Sequence, residues 1–236
     1  MAAFTNSLPI VTSGLVLYLD ARNPVSYPKG GTTWSDLSRN NNNGTLVNGP
    51  TYDSSNEGSV VFDGTNDYMT FLSSSNYSYG TGDFSVDYWI NFNNLTSTQQ
   101  ALLDASSNPI ANTTSGGTFG FAVNNTQIIT YANNGSLFTT TNTSLSANTW
   151  INLSFSRISG VLYVYRNSMI IDSVACAWDF QFNSTIYPFL YVGVNPGTNA
   201  SLFNGKLGNV KIYKGKGLIA SEILQNYNAQ KSRFGL

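Results

Sequence analysis

The chain has 236 residues, of which 14% are aromatic and only 10% charged, with a formal net charge of −1 and no histidine. The near-neutral balance argues against nucleic acid as the main ligand. The missing histidine removes Ser-His-Asp and Cys-His catalysis, histidine metal ligation and the commonest general base.

Few charges with abundant Tyr, Phe, Asn, Ser, Thr and Gly describe an all-β chain. A domain of this size hides roughly 70% of its unfolded surface, enough for one self-sufficient core. Cys176 is the single cysteine, so neither an intrachain disulfide nor a cysteine zinc cluster can form. It sits in the apolar run SVACAW and reads as a small buried hydrophobe. No apolar run approaches the ~18 residues of a membrane-spanning helix. The start, MAAFTNSLPIVTSG, lacks the basic and continuous apolar regions of a signal peptide. The chain is expected to be made in a cytoplasm and to leave it, if it does, by a route such as assembly into a virus particle. Its ten N-x-S/T sequons are then expected to go unused.

Residues 1–13, polar with Pro9, read as an N-terminal arm, and residues 14–236 as one domain. GLVLYLD (14–20) is a short apolar strand. Residues 22–57, rich in Asn, Ser, Gly and Pro, read as a long loop with a brief strand at Gly44-Thr45-Leu46-Val47. Strands follow near 59–63, 67–72, 83–92, 99–104, 118–123, 127–131 and 149–158. A Ser159-Gly160 hairpin leads into VLYVYRN, where Val161, Tyr163 and Tyr165 share one face. Further strands run at 169–174, 188–194 and 202–213. One helix lies near the C-terminus, with Ser221 as its cap, Glu222 in its first turn and Ile223, Leu224 and Tyr227 as its apolar face. Many short strands with one helix predict an antiparallel β-sandwich.

The charge is uneven. Residues 206–236 hold six bases against Glu222 alone, a local +5, while residues 1–205 carry −6. A basic C-terminal segment reads as a solvated face or as a docking surface for an acidic partner.

The ordered series GLVLYLDA, TTWSDLSRNNNNGTLVNGPTY, SVVFDGTNDYM, DFSVDYWI, NTWINLSFSR, SGVLYVYRN and LFNGKLGNVKIYKGKGLIASEILQNYNAQKSRFGL resembles the laminin-G-like domains of the concanavalin-A-like lectin/glucanase superfamily. The forms TWSDLS, NNGTLVNGPTY and ILQNYNAQKSRFG look most like copies in virion proteins of tailed bacteriophages. The resemblance implies a jelly-roll sandwich with one short C-terminal helix. It narrows function only in part, because that fold hosts lectins, glycosidases and structural modules.

Glycosidases on this fold need paired carboxylates, about 5 Å apart for retention. The only glutamates, Glu57 and Glu222, fall in a loop and in the helix. Asp83 and Asp87 could share a strand face but sit among Phe84, Val86 and Tyr88 in what the family uses as a structural strand. Missing parts therefore argue for a non-enzymatic protein. Relatives often hold calcium, an oxygen-loving ion that takes six to eight ligands. Asp63, Asn66 and Asp67 cluster in one turn, and Asn209 matches a position where relatives place a ligand; the alternative for the turn is a self-satisfied Asx turn. A sugar site needs exposed aromatic faces, for which the loop residues Tyr27, Trp34, Tyr52, Tyr77 and Tyr79 are candidates. For Trp34 a plug pinning the long loop is the reading preferred over a sugar platform.

The function implied is a non-enzymatic capsid- or tail-associated surface protein with a lectin-like domain, at the virion surface, either decorating the particle or binding host-surface glycans. The alternative is a cellular carbohydrate-binding protein with no virion attached. Expected partners are other virion proteins, host glycans and, left open, a second copy of the chain in a homo-oligomer. Neither nucleic acid nor membrane insertion is expected.

Overall fold

The computed structural model describes residues 9–72, 74–96, 98–105, 119–132, 136–141, 143–181, 189–195 and 201–236. Sixteen strands occur among them. In chain order they are β1 (Leu15–Asp20), β2 (Thr33–Trp34), β3 (Gly44–Val47), β4 (Thr51–Asp53), β5 (Ser59–Asp63), β6 (Tyr68–Leu72), β7 (Phe84–Phe92), β8 (Gln100–Asp104), β9 (Phe119–Asn124), β10 (Gln127–Ala132), β11 (Ser136–Thr140), β12 (Trp150–Ile158), β13 (Val161–Arg166), β14 (Met169–Ala175), β15 (Phe189–Val192) and β16 (Asn204–Lys214). The helix α1 (Ala220–Gln230) and a 3-10 turn (Lys231–Phe234) follow.

The strands form two antiparallel sheets packed as a jelly-roll sandwich. Sheet A runs β14-β13-β12-β7-β16-β5-β4, and β1 pairs with β16. Sheet B runs β11-β10-β9-β8-β15-β6-β3-β2. On the side away from β7, β16 meets β5 through Asn204–Leu207 and β1 through Asn209–Tyr213.

Strand β7 is buried along its whole length, which a half-exposed strand would not be. The period of two explains it. Phe84, Val86, Tyr88, Ile90 and Phe92 enter the core between the sheets. Ser85, Asp87 and Trp89 point the other way, where the C-terminal segment covers them. Ser85 Oγ accepts the Leu218 N–H at 2.8 Å. Trp89 stacks on Phe234, with ring centroids 4.2 Å apart and planes 12° from parallel. Between these points lies a buried polar network. Lys211 Nζ stands 3.4 Å from Asp87 Oδ2 and donates to Asn209 and Gln230 at 2.9 and 3.0 Å. Asn152, Ser154 and Asn226 also donate to the Asp87 carboxylate. A buried charge pair of this kind persists only when its remaining lone pairs and protons are satisfied, as here.

The helix begins earlier than Ser221 implies. Ser85 and Ser156 fix the backbone of Leu218, and the Glu222 carboxylate reaches back to the Ile219 N–H at 3.1 Å. Ser221 is therefore an exposed first-turn residue rather than the cap. Leu224 is 45% exposed, and the helix docks through Ile223, Asn226 and Tyr227 instead. Strands β2, β4 and β11 add to those the sequence predicts.

Of the arm, residues 1–8 lie outside the described residues. Residues beyond them are docked: Val11 is buried, its N–H donates to Asn226 at 2.9 Å, and its carbonyl accepts from Tyr213 at 3.0 Å. The C-terminal bases are similarly engaged. Lys206, Lys211, Lys216 and Arg233 each meet a carboxylate. Lys231 lies over the ring of Tyr227, and Lys214 donates to the Ser75 carbonyl. The +5 segment is thus largely neutralised within the fold rather than offered as a free basic patch. Among the described residues no helix is long and apolar enough to cross a membrane.

Candidate functional site

The outer face of sheet A is covered by α1 and the 3-10 turn where β7 and β16 lie. On sheet B, Met69, Phe71, Leu190, Val192, Phe119 and Phe121 enter the core, so the alternate positions face outward. Thr45, Thr70, Tyr191, Asp104, Gly120 and Tyr131 are successive register partners across β3, β6, β15, β8, β9 and β10. They make one rung of side chains across the sheet.

The rung has a built centre. The Tyr131 hydroxyl donates to Asp104 Oδ2 at 2.5 Å, and both residues are buried. The intervening residue must be glycine for this reach. A Cβ on Gly120 would stand 2.2 Å from the Tyr131 hydroxyl oxygen and 2.7 Å from the Leu103 carbonyl. Beside Asp104, Tyr191 is half-buried and keeps its phenol ring 6.2 Å from that of Tyr68 and 6.1 Å from that of Phe189. Partial burial, with Tyr68 and Asp104 nearby, raises the Tyr191 phenol pKa, so this hydroxyl stays protonated at neutral pH. Thr45 and Leu72 are exposed at the flank. The face therefore combines half-open aromatic rings and threonine hydroxyls over one buried carboxylate, which is chemistry suited to a polyol with apolar ring faces.

The aromatic residues that the sequence offers as exposed platforms lie elsewhere. Tyr27, Trp34, Tyr77 and Tyr79 are buried, and Tyr52 is half-buried. Their expected exposure is corrected for a simple reason: the segments that carry them fold back onto the sandwich. Tyr27 and Trp34 pack together with centroids 5.9 Å apart, Tyr77 lies 5.9 Å from Phe71, and Tyr79 stacks on Phe84 at 4.5 Å. Tyr52 packs against Tyr27 and is covered by Lys29. None of the four buried rings presents a face to a sugar.

The four expected calcium ligands do not form one site. Asp63 Oδ1 accepts the backbone N–H groups of Thr65 and Asn66 at 2.7 and 3.2 Å, and Asp67 Oδ2 accepts that of Asp63 at 3.1 Å. The N–H groups hold the Asp63 carboxyl below its usual range, whereas burial raises that of Asp67. Gly64 turns the chain at φ 72°, where a Cβ would meet Asn204. The Asn66 carbonyl accepts from Asn48 at 2.8 Å. Asn209 lies five residues along β16 from Asn204, the partner of Asp63, and so about 16 Å away. Its Oδ1 is already held by the Lys211 ammonium, which leaves no place for a second cation. Among the described residues, no three His, Cys, Asp or Glu side chains gather as a metal group.

The carboxylates considered for catalysis are also dispersed. Asp87 is enclosed beneath α1, Glu57 pairs with Arg22 at 2.6 Å, and Glu222 pairs with Lys216 at 2.7 Å. The core seam lined by Tyr88, Leu102 and Phe203 has no room for a water-sized ligand.

Sequence comparison decides the family. A profile of the concanavalin A-like lectin/glucanases superfamily matches residues 63–223. The chain belongs to this superfamily. No curated protein matches by sequence. Among solved structures, the chain is similar to the binding domain of Paraclostridial Mosquitocidal Protein 1, with a TM-score of 0.68 and 17% identity, covering 92% of this chain and 52% of that one. It is also similar to botulinum neurotoxin type C, whose cell entry depends on interaction with two ganglioside molecules, with a TM-score of 0.69 and 14% identity over 93% of this chain and 52% of that one. Domain 4 of AbnA, an extracellular arabinanase of Geobacillus stearothermophilus solved with arabinotriose, matches with a TM-score of 0.67 and 17% identity over 91% of this chain and 98% of that one. The chain thus spans about half the length of the toxin structures and nearly all of the arabinanase domain. At these identities the likeness is one of fold.

Proposed function

We propose that the chain is a non-enzymatic carbohydrate-binding domain that uses the outer face of sheet B, at the surface of a virus particle. The observation that carries the binding reading is the rung in which Tyr191 stands between Thr70 and Asp104, flanked by Tyr68 and Phe189. A pyranose or furanose ring can lie against the half-open tyrosines while its hydroxyls exchange hydrogen bonds with the threonines and the Tyr191 phenol. The arabinotriose of the arabinanase domain and the gangliosides of the neurotoxin make a sugar the natural first ligand to test. Only one carboxylate stands on the face, one short of the pair that glycoside hydrolysis uses, which supports binding without turnover.

A broad glycan array tests the proposal. Binding to one sugar class that is lost in Tyr191→Ala, with the melting temperature unchanged, is the expected result. A folded protein that binds nothing would remove the lectin role and leave a structural decoration role.

Virion placement is supported by the likeness of TWSDLS, NNGTLVNGPTY and ILQNYNAQKSRFG to segments of phage virion proteins. Capsid or tail proteins are then the partners. Because Val11 is part of the folded domain, the trimming test is confined to residues 1–8. Co-sedimentation of the protein with particles, and its loss on removing residues 1–8, is expected; a protein found only free in the host cell would favour a cellular carbohydrate-binding role.

A further inference from the structure

No Lys or Arg occurs between Arg39 and Arg157. This stretch supplies every strand of sheet B except β2 and β15, which carry none either. All eleven bases but Arg39, which is exposed in the connection from β2 to β3, lie on or against sheet A. Arg22 pairs with Glu57, which precedes β5, and Lys29 covers Tyr52 of β4. Arg39 sits between Ser38 and Asn40, whose side chains bond to carbonyls of β1. The other eight are on β12, β13 and β16 or follow β16 in the chain. Asp104 is the only Asp, Glu, Lys or Arg on a strand of sheet B, and the residues outside the described ones contain none of these four types. The sandwich is therefore split by charge: the strands of sheet B carry no cation and a single, buried carboxylate.

We infer that the sugar received by sheet B is an uncharged oligosaccharide, not a sialylated, sulfated or uronic one. The inference rests on the carbohydrate-binding reading and specifies its ligand class. An anionic sugar needs a guanidinium or ammonium for a charge-assisted hydrogen bond. Brought onto this face it would find none on the strands, and the Asp104 carboxylate, buried just beneath the surface, would repel it as a like charge. An uncharged sugar loses nothing by the absence of cations and meets no like-charge repulsion from that carboxylate.

The test uses matched pairs on one array: the same neutral core with and without terminal sialic acid or sulfate, probed with the full chain at low and high salt. Expected are hits on neutral cores, a drop of at least about tenfold when the anionic group is added, and a smaller drop at high salt as the repulsion is screened. Asp104→Asn, with its melting temperature recorded, should narrow the same gap. Should that variant fail to fold, the salt series on the unaltered chain still reads the repulsion. Preference for the sialylated or sulfated partner, abolished by Tyr191→Ala, would overturn the inference while leaving sheet B as the sugar site. Absence of binding to every glycan by a folded sample would overturn both.

Discussion

Arg233 and Asp20, 213 positions apart in the chain, form a buried ion pair of 2.6 Å. The same guanidinium donates to the carbonyls of Asn56 and Gly58 at 2.8 and 2.5 Å. One side chain near the C-terminus thus clasps β1 and the segment before β5. Arg233→Ala strands a buried carboxylate and two carbonyls, and should cost about 3–5 kcal/mol of stability. Arg233→Lys should recover only part, because an ammonium lacks the planar fork. Urea denaturation measures both; a loss below 1 kcal/mol for the alanine variant would mean that the segment is not a clasp.

Trp34 and Tyr191 should behave oppositely. Trp34 is fully buried against Tyr27, so Trp34→Ala is expected to cost about 3–5 kcal/mol, yet to leave sugar affinity intact well below the melting temperature. Tyr191→Ala should change stability little and weaken sugar binding by about 2 kcal/mol. Paired thermal melts and titrations of the two variants separate core from site.

Gly120→Ala places a methyl group against the Tyr131 hydroxyl and the Leu103 carbonyl. Repacking should cost about 1–3 kcal/mol and pull Tyr131 away from Asp104. Weakened sugar binding by the folded variant is expected; unchanged affinity would show that the Tyr131–Asp104 pair does not shape the site.

The turn between β5 and β6 contains two carboxylates shifted in opposite senses. Asp63 is depressed by backbone N–H groups, so its contribution is present above its unfolded pKa and lost as pH falls through the folded one. Asp67 is raised by burial, so its contribution is lost as pH rises through its folded pKa. Asp67→Asn keeps an acceptor for the Asp63 N–H without the buried charge. It should raise the melting temperature at pH 7 and have no such effect near pH 3. The turn closes on its own hydrogen bonds, so a chelator should leave the melting temperature unchanged; a fall on chelation, matched by destabilisation in Asp67→Asn, would place a cation there.

Asp53 is held at about 2, chiefly by the Lys206 ammonium 2.6 Å away. Its stabilisation should be complete above about pH 4, the ordinary carboxylate range, and decline between there and pH 2. Lys206→Met should flatten that part of the stability–pH curve, which denaturant melts across the range would reveal.

Strand positions and the sandwich were legible in the sequence because period-two alternation and turn residues are local signals. The turn from Asp63 to Tyr68 falls where SVVFDGTNDYM places it. The burial of Tyr27, Trp34, Tyr77 and Tyr79 was not legible: residence in a loop says nothing of whether the loop folds over a core. Nor was the sheet B face, since Thr70, Tyr191, Asp104 and Tyr131 become neighbours only through pairing registers far apart in sequence. A partial signal did exist in YMTFL, where Tyr68, Thr70 and Leu72 alternate with core residues. The helix start was misplaced because Ser221 is a good cap by type, whereas anchoring of Leu218 by Ser85 and Ser156 is a tertiary effect.

The position of β16 sets a schedule. It is flanked by β7 on one side and by β5 and β1 on the other, yet its residues begin only at Asn204. During synthesis, β1 has no ladder partner, and β5 has only the three-residue β4, until that late segment leaves the ribosome. β1, the β4–β5 pair and one edge of β7 must therefore wait, with unpaired edges and apolar faces open to other nascent chains. Chains interrupted before residue 204 should be insoluble or chaperone-bound rather than partly native, and yield in a heterologous host should depend more on chaperone supply and growth temperature than on the final stability of the sandwich.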